Sequence, residues 1–104
     1  MSIPKPYQQM KADHPQMMDA YESFNAACVA AGPLDARTVA LVKLCISMGA
    51  GMEGAAHSHT RKALEAGWTP DELLHAAFMC APTIGFPNMM RARGWVLDVT
   101  EKNS

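Results

Sequence analysis

The 104-residue chain is short of charge: Asp, Glu, Lys and Arg make up only 18% of it, nine basic against ten acidic, with no basic cluster. That balance leaves no electrostatic footprint for nucleic acid or for an anionic membrane surface, so neither is expected as a partner. Long apolar runs are missing too. The N-terminal "MSIPKPYQQMKADHPQ" has no signal-peptide core, and the longest apolar stretch, "TVALVKLCISMGAGM", is interrupted by Lys43 and is too short to span a bilayer. A soluble, cytoplasmic protein is expected. Cysteine is sparse: Cys28, Cys45 and Cys80 are odd in number and far apart, and they read as reduced core residues rather than a disulfide framework. Strand alternation is absent throughout, which excludes a β architecture.

Apolar residues, by contrast, reach 49%. A single domain of this size hides only about two thirds of its unfolded surface, so the surplus implies association with further copies of the same chain. The apolar residues return every three or four positions, and the fold expected is all-α, a compact oligomeric bundle of about five helices. Residues 1–14 form a proline-marked arm, 15–100 the helical domain, and 101–104 a fraying tail. The first helix starts near Pro15 and stops at Gly32-Pro33. Asp35 caps the second, which is apolar nearly all round and is expected to be central and buried. Gly49 and Gly51 bracket a break before a third helix that begins about Met52 and ends at Gly67. Thr69, Pro70 and Glu72 then spell a capping box with proline at the first helical position. After "APTIGFP" a last helix starts near Pro87 and lines up Met89, Ala92, Val96 and Val99.

The third helix holds the chemistry. In "GAGMEGAAHSHT", residues 49–60, one glutamate and two histidines stand among very small side chains. At about 100° per residue, Met52, Ala55, Ala56, His59, Ala63 and Ala66 share one stripe, so His59 faces inward and the small neighbours leave room for a cavity over it. The alternative is a histidine simply satisfied within the core. Glu53 and His57 are one turn apart, where a carboxylate can hold the imidazole tautomer. His57 and His59 are about 200° apart and cannot face one ligand from this helix. Glu53 and His57 alone are too few to hold a metal, no further ligand is indicated, and neither metal nor cofactor is expected. The unpaired N–H groups at the helix start are suited to an anionic group. His75 sits with Asp71 and Glu72 on a polar face and His14 lies in the arm, so both read as non-catalytic; the nine methionines read as filler.

With the helices placed, "HTRKALEAGWTPDELLHAAFMCAPTIGFPNMMRA" carries a resemblance, over roughly residues 15–100, to the carboxymuconolactone decarboxylase family, the all-helical group that includes alkylhydroperoxidase D. Its thiol branch has Cys-x-x-Cys four residues before a histidine. Here the histidine matches His59, Met52 and Ala55 stand at the two cysteine positions, and the helper glutamate falls at Ala40. A thiol peroxidase needs an attacking thiolate and a resolving thiol, so the peroxidase activity is the lesser alternative. The decarboxylase branch implies proton transfer on a small carboxylated lactone or organic acid, in a pocket between helices and often near a subunit boundary. On that reading His59, assisted by Glu53 and His57, is catalytic; Met52, Ala55, Ala56 and Arg91 bind substrate; and the protein assembles as a homo-oligomer such as a trimer or hexamer. A non-catalytic binding or structural oligomer is the third reading.

Overall fold

The computed structural model describes residues 3–101, and among them every regular element is an α-helix. Backbone proximity divides the chain into two units, Met1–Leu34 and Asp35–Ser104. This boundary falls inside the span 15–100 that the sequence groups as one domain.

The first unit holds α1 (Lys5–Asp13) and α2 (Pro15–Ala30). The expected arm is therefore mostly helical. Its prolines start the helix rather than forbid it: Pro4 is the cap and Pro6 lies in the first turn, where backbone N–H groups have no acceptor to lose. Non-helical His14, at φ −136° and ψ 63° and followed by a proline, separates α1 from α2. Tyr7 and Lys11 both bond to Glu22 and tie the two helices together.

The second unit holds α3 (Ala36–Gly49), α4 (Glu53–Glu65), α5 (Pro70–Phe78), α6 (Cys80–Ile84) and α7 (Phe86–Thr100). Residues 15–100 thus contain six helices, not five. The additional one is α6, in the segment read as a connection; Pro82 sits early enough in it to cost no hydrogen bond, and Gly85, at φ 104°, ends it. Local signals placed the other boundaries well. Asp35 accepts from the Thr38 N–H at 2.7 Å, and both halves of the Thr69–Glu72 capping box form, a cap worth about 1 kcal/mol. Of the expected tail, Glu101 caps α7, and 102–104 lie outside the described residues.

The core of this unit joins Leu44 and Met48 of α3, Ala56 and Ala63 of α4, Leu73 and Ala77 of α5, and Ala92, Trp95 and Val96 of α7. Alanines at the α4 contacts let its backbone approach α3 and α7 closely. The expectation that α3, apolar nearly all round, is the central buried helix is corrected: only Leu44, Ser47 and Met48 are buried, while Val42, Cys45 and Ile46 face outward. The cysteines are free, as expected, but not core residues, since Cys28 and Cys45 are exposed and Cys80 is half-buried. At the far end of α3, the Arg37 guanidinium lies 3.7 Å over the Trp68 ring, whose N–H donates to the Arg37 carbonyl at 2.7 Å. This clamp fixes the turn between α4 and α5, and with it the C-terminal end of the helix that carries the site.

Candidate functional site

α4 starts after a turn in which Gly51 adopts φ 73°, a conformation that suits a residue without Cβ. A Cβ there would stand 2.8 Å from a terminal nitrogen of Arg91 on α7. The guanidinium therefore packs on the turn just ahead of α4, within 5.1 Å of the Trp95 ring centre. Arg91, a sequence-predicted substrate-binding residue, is thereby brought to the positive end of the α4 dipole.

The buried line of α4 is Ala56, Thr60 and Ala63, rotated slightly from the stripe read in sequence. Thr60 can occupy its centre because its hydroxyl donates to the Ala56 carbonyl at 2.7 Å, which removes the desolvation cost of burying it. His59 consequently lies at the edge of this face, half-buried, with Nδ1 fully shielded and without a hydrogen-bond partner. Met52 is 56% exposed at the cap, Ala55 is half-buried, and Ala56 is fully enclosed in the core.

Burial pushes the His59 imidazole below its ordinary pKa of 6.5, and Lys62 and Lys43 push it further the same way. The ring is thus neutral at physiological pH, with one nitrogen turned inward and cations nearby. A measurable consequence concerns stability. Below pH 6.5 the unfolded chain takes up a proton that folded His59 resists, so the unfolded state binds more protons and stability falls as pH drops through the interval under 6.5. Above it, this difference vanishes. Across about pH 5 to pH 7, the urea midpoint of wild type is expected to fall relative to that of His59→Gln as pH drops, because the variant lacks this penalty; parallel profiles would contradict it.

His57 belongs to a different group. Its Nε2 lies 2.9 Å from Oδ2 of exposed Asp98 on α7, and a shallow cleft beside them is lined by His57, Leu97, Asp98 and Glu101. Glu53 stands near enough that one ligand atom each from Glu53, His57 and Asp98 lie within 4.8 Å of one another. Sequence reasoning offered Glu53 as the partner of His57 and missed Asp98, which is 41 residues away and carries no local signal. The three donors can meet at a cation, and the bond to Asp98 accounts for the orientation of the His57 ring without one. The fold therefore separates the expected catalytic residues by charge. Glu53 and His57 lie in acidic company, and His59 in basic company.

A second cleft, of about 200 Å³, opens between α3, α5 and α6, where Cys45 and Cys80 share its wall. Burial pushes both thiols above their ordinary pKa, and nearby Cys80 adds to the rise at Cys45. No helix among the described residues is long and apolar enough to cross a membrane.

Comparison with curated proteins and with solved structures gives no match. The family profile described as Carboxymuconolactone decarboxylase family matches residues 15–98, a span that takes in α2 to α6 and nearly all of α7 and includes His59, Glu53, His57 and Asp98. On that match, together with the all-helical fold, the chain belongs to the carboxymuconolactone decarboxylase family.

Proposed function

We propose that this protein is a non-redox member of its family that moves protons on a small carboxylated lactone or organic acid, by decarboxylation or isomerisation, with His59 as the acid–base group. The observation that carries this reading is the shielded, unpartnered Nδ1 of His59. An unpaired buried nitrogen costs about 1–3 kcal/mol, a cost relieved when a ligand supplies the missing hydrogen bond. The surrounding charge suits an anion. Lys62 and Lys43 both act on the ring, and Arg91 with the α4 N-terminus offers a further place for a carboxylate.

The chemistry closes on a neutral ring. The substrate binds as the carboxylate, its C–C bond breaks to release CO₂, and the electron pair passes into the conjugated lactone system. His59 takes a proton from solvent, and the imidazolium, made a stronger acid by the neighbouring lysines, delivers it to carbon and is neutral again. In an isomerisation the same ring takes a proton from one carbon and delivers it to another. Met52, Ala55 and Ala56 form the apolar side of α4 in this reading, and Glu53 and His57 act at the flank, away from the proton transfer.

Thiol-dependent peroxide reduction has less support, because Met52 and Ala55 supply no sulfur nucleophile and the thiols at Cys45 and Cys80 are both raised, which leaves little thiolate at neutral pH. Self-association fits the apolar side chains left outward in the second unit, among them Ile46 at 64% and Phe86 at 62% exposure.

The test is direct. Purified protein is offered carboxylated muconolactones, CO₂ release and double-bond migration are followed, and the His59 ring is watched by NMR. Turnover, or a ligand-dependent shift confined to His59, is expected; neither turnover nor a shift with any such acid would refute the assignment.

A further inference from the structure

The cleft between α3, α5 and α6 has no place in the proton chemistry of His59, and its lining has an unusual composition. Four of its eight lining residues carry sulfur: Cys45 and Met48 from α3, Met79 at the α5–α6 junction, and Cys80 at the start of α6. Hard donors are nearly absent. The one side-chain hydroxyl in the lining, that of Thr83, is spent on the Met79 carbonyl at 2.7 Å, and no carboxylate or imidazole contributes. Both cysteines are free, and they lie close enough that one thiolate raises the pKa of the other.

We propose that this cleft binds a soft, thiophilic metal ion of the Cu(I) class, held by the thiolates of Cys45 and Cys80 with the methionine thioethers beside them. The donor set decides the metal. Thiolate and thioether ligands select Cu(I), whereas Mg²⁺, Ca²⁺ and Mn²⁺ want oxygen. Zn²⁺ in a closed site wants four donors drawn from thiolate, imidazole and carboxylate, and two cysteines do not supply them. On binding, two S–H bonds break, two Cu–S bonds form, two protons pass to solvent, and copper remains Cu(I). The fold supplies the pairing: the two cysteines are 35 positions apart in sequence, and only the approach of α3 and α6 sets them at one opening.

Cu(I) is delivered anaerobically to the full chain from a weak chelator. One ion per chain is expected, with an ultraviolet thiolate-to-copper absorption band and release of two protons. Cys45→Ser and Cys80→Ser are each expected to lose the band, and Cys28→Ser, in the other unit, to keep it. Because a substitution in α6 can disturb folding, the wild-type chain provides a second readout. One equivalent of Cu(I) should protect Cys45 and Cys80, but not Cys28, from maleimide labelling read by peptide mass spectrometry. Equal labelling of all three thiols, a band that survives Cys45→Ser in folded protein, or equally tight uptake of Zn²⁺ would overturn the proposal. None of these outcomes depends on lactone turnover, so this proposal and the His59 assignment fail separately.

Discussion

His59→Gln is expected to lower turnover of a carboxylated lactone by about 10²–10⁴-fold, the usual worth of a positioned acid–base group. Glutamine retains a polar side chain of similar reach but cannot take up and return a proton at neutral pH. The loss should therefore fall mainly on kcat, with KM changed less, since Lys62, Lys43 and Arg91 still offer charge to the carboxylate. The pH profile gives a second reading. In wild type the limb that reports His59 should lie below the ordinary 6.5, in the direction set by burial and then by the two lysines, and the variant should lack that limb. Cys45→Ser should keep turnover, because the thiol faces a different cleft. If activity follows Cys45 and ignores His59, the protein is a thiol enzyme and the proton-transfer reading is wrong.

Leu44→Ala is expected to cost about 2–5 kcal/mol, read as a fall in the urea midpoint at unchanged m-value. Leu44 is fully buried in the core built by α3, α4, α5 and α7, and its neighbours include backbone and small residues that cannot collapse into the gap. A chain of this size has a total stability of only about 5–15 kcal/mol, so one such cavity removes a large share of it. Ile46, two residues along the same helix and 64% exposed, is the comparison. Ile46→Ala should change the midpoint of an isolated chain by no more than about 0.5 kcal/mol, and any larger effect should grow with protein concentration, as loss of a contact between copies would. A cost below about 1 kcal/mol at Leu44 would mean that α3 is not gripped as described.

What could be read from the residues alone was whatever is decided within a few positions. Asp35, Thr69 with Glu72, and Gly67 mark helix ends because the groups that cap or break a helix are neighbours in the chain. Two local readings went astray for local reasons. The proline-marked arm and the "APTIGFP" connection were expected to lie outside the helices, yet Pro6 and Pro82 each fall in a first turn, where the missing N–H has no acceptor to lose. The half-buried position of His59, and not a fully inward one, follows from Thr60 satisfying its own hydroxyl on the Ala56 carbonyl, a bond that hydrophobic periodicity does not register.

The amino-acid order by itself determined that this chain is helical, where most of its helices begin and end, and that its titratable groups gather at the start of α4. Tertiary structure decided which of those groups work together. Asp98 reaches His57, lysines flank His59, Arg91 lies on Gly51, and Cys45 meets Cys80. Helix capping is settled by hydrogen bonds spanning three or four residues. The company a side chain keeps across 35 or 41 residues depends instead on how whole helices pack, and no short stretch of sequence contains that information.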